Sequence, residues 1–146
     1  MAEHNIIGQK GEDIAAEIMR KKGYRIMERN WRMGHLETDI IAEKRKEIVF
    51  VEVKTRTSTF GGKAPEEAVD ILKKRRLVAA ANAYIKMHKI EKDLRFDIIG
   101  ILMDSVTFEV KDTTHLEDAF IPPQKTIGKS SFTGQWRWHH RTKTIR

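Results

Sequence analysis

The chain has 146 residues, 40% of them hydrophobic and 34% charged, and it contains no cysteine. This balance is typical of a globular α/β domain with one core, and the sequence contains no disulfide framework. No apolar stretch approaches the roughly 18 residues that a membrane-spanning helix needs. Residues 1 to 5 lack the features of a secretory signal, so we expect a cytoplasmic protein that does not act in a membrane.

The net charge of +7 is unevenly distributed. Residues 1 to 121 carry 22 Lys and Arg against 21 Asp and Glu, whereas residues 122 to 146 carry six basic residues and no acidic one. A basic segment attracts polyanions, and nucleic acid is a common polyanion in the cytoplasm. The alternative is a tail that only aids solubility.

A first helix is predicted over residues 7 to 22, because small and apolar residues recur at helical spacing. Gly23 follows where a C-terminal cap is expected. Gly8, Gly11 and Ala15 lie along one side of this helix, so that side is expected to approach a sheet closely. Glu12 would then project near the contact.

Three strands are predicted next, over residues 24–31, 36–43 and 48–55, as an antiparallel meander. The third strand has a strict two-residue alternation that separates two faces. One face carries Val49, Val51 and Val53, and the other carries Phe50, Glu52 and Lys54. A strand with one face entirely of valine is expected to be central or half buried, where unpaired charges are costly.

A long helix is predicted to begin at Pro65 and to run to about His88. Its apolar side is predicted to consist of Ala68, Val69, Leu72, Leu77, Ala80, Ala81, Tyr84 and Ile85. Two more strands, over residues 95–102 and 105–110, complete the prediction, and Arg95 is expected to pair with Asp97.

Two consecutive prolines, Pro122 and Pro123, cannot continue a helix or a sheet ladder, so they mark a boundary. The sequence therefore predicts one domain over residues 1–121 and a basic extension over residues 122–146 that contains tryptophan.

Asp39, Glu52 and Lys54 are the residues that we single out for chemistry. If the second and third strands pair as a hairpin, Asp39 and Glu52 come to neighbouring positions, and the Lys54 Cα lies roughly 6.6 Å beyond that of Glu52. Carboxylates are the hard oxygen ligands that Mg²⁺ prefers, and phosphodiester hydrolysis needs an activated water and a positive charge. The alternative is a structural ion pair between Glu52 and Lys54.

Several motifs occur together and in order, and they extend this pattern along the chain. They are Gly8-Gln9-Lys10-Gly11-Glu12, Gly23-Tyr24, Arg29-Asn30-Trp31-Arg32, Glu37-Thr38-Asp39-Ile40-Ile41-Ala42, Val49-Phe50-Val51-Glu52-Val53-Lys54-Thr55-Arg56, Glu67-Ala68-Val69 and Arg95-Phe96-Asp97. By these motifs the region from Gly8 to Gly100 resembles the YraN-like bacterial family. That family lies within the PD-(D/E)XK restriction-endonuclease-like superfamily, and its core is similar to archaeal Holliday-junction resolvases.

The resemblance implies a restriction-endonuclease-like core, with a mixed central sheet of about five strands flanked by helices. It implies a Mg²⁺- or Mn²⁺-dependent endonuclease in which Asp39 and Glu52 bind the metal. Lys54 would orient water and stabilise developing charge, and Glu12 would be a further ligand, directly or through water. The sequence departs from the family's usual Gly-Glu-aliphatic-Asp at two positions, with Leu36 before Glu37 and Thr38 between the two acids.

The resemblance also bears on partners. It suggests nucleic acid as the substrate, DNA in preference to RNA and including branched DNA, and a homodimer, because paired cuts need two sites. The alternative is a module with the nuclease fold that binds nucleic acid without cleaving it. The chain has six histidines, and their spacing is not typical of a zinc site.

Further basic and aromatic residues are candidates for contacts to nucleic acid, through phosphate pairing or base stacking. They are Arg56, Lys73, Lys74, Arg75, Arg76, Trp136, Arg137, Trp138 and Arg141. For the helical cluster the alternative is an ordinary solvated face, and for the tryptophans it is packing onto an apolar patch of the domain.

Overall fold

The computed structural model of the protein describes residues 2–57 and 69–120, with side chains described from Ile6 onward. Within these residues the chain forms two helices and five strands. In chain order they are α1 (Ala2–Lys21), β1 (Arg25–Met33), β2 (Leu36–Lys44), β3 (Glu47–Arg56), α2 (Ile71–His88), β4 (Asp93–Met103) and β5 (Val110–Leu116).

The strands form one mixed sheet in the order β1-β2-β3-β4-β5. β1, β2 and β3 form the predicted antiparallel meander, whereas β3 and β4 are parallel and β5 is antiparallel to β4. Parallel neighbours need a crossover connection, and α2 lies in the connection between β3 and β4. The predicted α/β class, a mixed sheet of about five strands flanked by helices, is confirmed.

The central strand β3 is buried on both faces. Val49 and Val51 pack with α1 residues on one side, and Phe50 packs with α2 residues on the other. The strand alternation read from the sequence is therefore confirmed, and each face of the sheet has its own apolar core. The residues predicted for the apolar side of the second helix are buried from Leu77 to Ile85.

Helix α1 approaches the sheet most closely at Gly11. A Cβ atom added there would lie 1.9 Å from Oγ1 and 3.1 Å from Cβ of Thr55. A Cβ on Gly8 would meet nothing within 4 Å, so the expected close approach is confirmed at Gly11 and wrong at Gly8. Gly23, with a φ of 90°, completes the predicted cap, because its N–H and that of Tyr24 bond back to Arg20 and Met19.

The prediction for the second helix is wrong at its beginning. Asp70 is extended, and its side chain accepts a hydrogen bond from the Lys73 N–H at 2.8 Å, so it caps a helix that begins at Ile71. Leu72, predicted to be on the apolar side, is 52% exposed. Pro65 and Ala68 lie outside the described residues.

The predicted strand over residues 105–110 is also wrong. The Asp104 carboxylate accepts hydrogen bonds from the N–H groups of Val106 and Thr107, and the Phe108 N–H bonds to the Asp104 carbonyl. These local bonds form a turn, because aspartate side chains compete for nearby N–H groups. The last strand, β5, begins only at Val110.

In the described part of the chain, neither helix is long and apolar enough to cross a lipid bilayer. The basic extension predicted over residues 122–146 lies outside the described residues, so the two-part organisation stays a prediction.

We predict that Gly11→Ala destabilises the protein by about 1–3 kcal/mol, the usual cost of overpacking, because the new methyl group pushes α1 away from Thr55. Gly8→Ala is the matched control in the same helix, and it should be neutral or stabilising, since alanine favours helix. Urea unfolding of both variants measures the difference. Equal free energies of unfolding would contradict the close contact at Gly11.

Candidate active site

Asp39 and Glu52 lie together on the face of the sheet that carries Phe50 and α2. The backbone ladder between β2 and β3 ends at the pair Ile40 and Val51. Just beyond it, Asp39 Oδ2 accepts a hydrogen bond from the Val53 N–H at 2.8 Å. The Asp39 and Glu52 carboxyl groups also share a hydrogen bond, and Glu52 is 2% exposed. The structure thus brings these two predicted residues together.

The electrostatics of this carboxyl pair depend on burial. Burial, together with the hydrogen bond and the negative charge of Glu52, raises the pKa of Asp39 to about 8. The Val53 N–H and the Lys73 ammonium lower it only in part. Asp39 is therefore largely protonated at neutral pH and donates the hydrogen bond that joins the two carboxyl groups.

Two lysines flank Glu52. Lys54 Nζ lies 3.9 Å from Glu52 Oε2, and its side chain is 33% exposed. Lys73, from the first turn of α2, places its Nζ 3.2 Å from the same oxygen and 3.7 Å from Glu37 Oε1. Burial opposes the charge of Lys73, but the attraction of Glu52, Asp39 and Glu37 together outweighs it and raises the pKa of Lys73. Lys54 lies where the sequence predicts, whereas Lys73 enters the site unexpectedly.

Glu12 reaches this region from α1, on the other side of the sheet. Its side chain bonds to Asn30, a β1 residue with a φ of 51°. Burial raises the pKa of Glu12, and the charge of Asp39 adds to the increase, so the two acids interact electrostatically. In the described part of the chain, however, Glu12 does not join Asp39 and Glu52 in a three-acid group with ligand atoms within 4.8 Å of one another.

The residues predicted to contact nucleic acid fall into separate groups. Arg56 ends β3, four residues after Glu52. Lys74 places its Nζ 5.5 Å from the centre of the Phe120 ring, and Arg75 and Arg76 are exposed on α2. The four basic residues of this helix therefore do not form one surface. Trp136, Arg137, Trp138 and Arg141 lie outside the described residues.

The opposite face of the sheet carries a candidate metal-binding group of Asp97, His115 and Glu117, whose ligand atoms lie within 4.8 Å of one another. Asp97 already accepts hydrogen bonds from Nε and Nη2 of Arg95, both at 2.8 Å, so the expected Arg95–Asp97 pair is confirmed. The Asp118 N–H and His115 Nε2 also bond to Asp97. Any cation entering here would have to displace these donors.

The histidine in this second group has a defined role. Lys22 Nζ lies 2.7 Å from His115 Nδ1, and an ammonium group can only donate, so Nδ1 accepts. Nε2 therefore carries the hydrogen and donates it to Asp97 at 2.7 Å. Although burial opposes the charged form, the bonds from His115 and Arg95 hold the pKa of Asp97 below its ordinary value. Asp97 is therefore satisfied by hydrogen bonds from Arg95 and from a neutral His115.

Sequence reasoning missed Lys73 and His115 as members of these groups. Lys73 belongs to a run of four basic residues, which suggests a solvated face. It lies four residues before the buried Leu77, however, and this helical spacing indicates that it faces the sheet. His115 lies on β5, which the sequence misplaced, so its register opposite Ile99 was not visible.

The sheet order, the α2 crossover and the carboxyl pair on the central strands are consistent with a restriction-endonuclease-like core. Residues 11–101 match the family described as Uncharacterised protein family UPF0102. A UPF0102 protein of Bacteroides thetaiotaomicron is 47% identical over 123 residues, which cover 84% of this chain and 98% of the relative. One from Flavobacterium psychrophilum is 43% identical over 120 residues, 82% of this chain and 98% of the relative.

The chain therefore belongs to the UPF0102 family, and the resemblance to the YraN-like family found from the sequence motifs is confirmed.

We predict that Asp39→Asn stabilises the protein at high pH. The folded chain holds a proton on Asp39 up to about pH 8, whereas the unfolded chain releases it near 3.8. The free energy of unfolding therefore falls as pH rises between these values and then levels off. Asparagine can keep the bond to Val53 without a charge, so the variant should be more stable at pH 9 by about 1–3 kcal/mol.

Urea unfolding at pH 5 and pH 9 measures this effect. Asp112→Asn, at an exposed position on β5, is the control, and it should leave the pH dependence of the wild type unchanged. An Asp39→Asn variant that loses stability from pH 5 to pH 9 as steeply as the wild type would contradict the raised pKa.

Proposed function

We propose that this protein is a divalent-metal-dependent endonuclease that hydrolyses phosphodiester bonds in nucleic acid. The proposal rests on one observation, the buried carboxyl pair of Asp39 and Glu52 beside Lys54. Two acids that share one buried position are costly for a structural role alone, because each disfavours the charge of the other. A cation between them would offset that cost.

The donor set fits Mg²⁺ or Mn²⁺. Such ions are usually held by one or two carboxylates together with retained waters, and Asp39 and Glu52 would supply the carboxylates. Glu12 would act from α1 through a water molecule, since it interacts with Asp39 through charge without forming a compact group with both acids. When bound, the ion would polarise a phosphoryl oxygen and lower the pKa of a coordinated water.

The chain's own groups have distinct roles in this proposal. Asp39 must lose its proton before it can bind a cation, so cation binding should strengthen as pH approaches 8. The Val53 N–H then keeps the carboxylate oriented. Lys54, which is partly exposed, can turn its ammonium toward a phosphate or the attacking water and stabilise the developing negative charge.

The substrate is proposed to be DNA rather than RNA, including branched DNA, with a homodimer making paired cuts. This part rests on the likeness of the sequence motifs to junction resolvases. The exposed Arg75 and Arg76, together with Arg56 at the end of β3, supply positive charge for a phosphate backbone. The basic residues and tryptophans of the extension are proposed to add contacts.

A second candidate function is a nucleic-acid-binding module without catalysis. It is favoured by the neutral state of Asp39 at pH 7 and by the lysine against Glu52, which together make the site stable without an ion. Binding that weakens with salt, without turnover in Mg²⁺ or Mn²⁺, would support this alternative over the endonuclease.

The test is a cleavage screen over single-stranded, duplex and four-way-junction DNA and matching RNA, with Mg²⁺, Mn²⁺ or EDTA. We predict metal-dependent cleavage that Glu52→Gln and Lys54→Ala each reduce by on the order of 10²–10³-fold or more. The first variant loses a carboxylate ligand of the metal ion, and the second loses positive charge at the reacting phosphate. Circular dichroism checks that both variants fold.

The controls are Glu91→Gln and Lys86→Ala, which make the same kinds of change at exposed positions outside the site. Both should cleave like the wild type. Cleavage that persists in purified Glu52→Gln and Lys54→Ala would reject this site as the origin of the activity.

A further inference from the structure

Among the described residues, the Lys73 ammonium makes the closest charged contact with Glu52. Its Nζ is 3.2 Å from Glu52 Oε2, compared with 3.9 Å for Lys54. The side chain is 28% exposed and projects from the first turn of α2, which the Asp70 cap fixes through the Lys73 N–H. This lysine is therefore held over the carboxyl pair by the helix rather than by the strands that carry the acids.

Lys73 has a second partner at the outer side of the site. Its Nζ lies 3.7 Å from Glu37 Oε1, and Glu37 is much more exposed than Glu52. Glu37 also pairs with Arg32 at 3.4 Å, near the exposed end of the β1–β2 hairpin. The ammonium can therefore move away from Glu52 toward the surface and still face a carboxylate.

A cation bound by Asp39 and Glu52 would lie close to the present position of the Lys73 ammonium. Two positive charges within a few ångströms repel strongly in a partly buried site. We propose that Lys73 is a positioning residue that occupies the cation's side of Glu52 in the metal-free protein and withdraws toward Glu37 when a divalent ion binds. This inference rests on the endonuclease proposal and adds a competition between Lys73 and the metal ion for Glu52.

The competition makes Lys73 a determinant of metal affinity. Removing its charge should tighten metal binding, although the same change loosens the packing around Glu52. If Lys73 were purely structural, removing its charge would weaken metal binding, because the disturbed site would hold the ion less well.

The experiment measures the dissociation constant for Mn²⁺ alone, without nucleic acid, by titration calorimetry and by the electron paramagnetic resonance signal of free Mn²⁺. We expect Lys73→Met and Lys73→Gln to bind Mn²⁺ about tenfold more tightly than the wild type, or more. Lys73→Arg, which keeps the charge, should bind like the wild type. Lys74→Met, whose lysine lies over Phe120, is the matched control and should also leave the constant unchanged.

Lys73→Gln keeps a hydrogen-bond donor for Glu52, so it tests the idea if the methionine variant does not fold. Unchanged or weaker Mn²⁺ binding in the folded uncharged variants would overturn the competition while leaving the metal site intact. Mn²⁺ binding in the wild type that survives Glu52→Gln would instead reject the proposed site. Absence of Mn²⁺ binding in the wild type and in every variant would reject both the metal site and the competition.

Discussion

The buried contact between the Asp39 and Glu52 carboxyl groups is the constraint on which the rest of the site depends. Two acids can share a position on the central strands only because one of them is neutral and the other faces lysines. The Val53 N–H holds Asp39 where the β2–β3 ladder ends. The hairpin supplies the two acids, and the crossover helix supplies the Lys73 ammonium that faces Glu52.

Buried carboxyl groups are stabilised differently on the two faces of the sheet. On the α1 face, Asp97 accepts bonds from Arg95, His115 and the Asp118 backbone, so both of its oxygens are occupied. Arg95 also bonds to Tyr24, which ties the end of α1 to the sheet. On the α2 face, the charges are balanced by the partly exposed side chains of Lys54 and Lys73, whose long stems allow other rotamers. The first arrangement suits stability, and the second suits the entry of a cation.

The sequence predicts those features that follow from a local periodicity, such as the two-residue alternation of a strand. The alternation in β3 identified the two faces of the central strand, and with the hairpin it brought Asp39 beside Glu52. Long-range features were not predictable in this way. The inward direction of Lys73 depends on how α2 docks on the sheet, and the position of His115 depends on a turn that the side chain of Asp104 forms. The close approach expected at Gly8 is wrong, because a Cβ atom there would meet no other atom within 4 Å.

The connectivity of the sheet has one consequence for partly unfolded states. Asp39 and Glu52 belong to adjacent strands of one local hairpin, whereas Lys73 reaches them only when the helix between the parallel strands β3 and β4 is docked. If α2 detaches while the hairpin persists, the acids lose the Lys73 ammonium group and become open to water. Loosening this helix would therefore change the local charge balance together with the apolar packing, and calcium, magnesium or other hard cations would then meet a more negative surface.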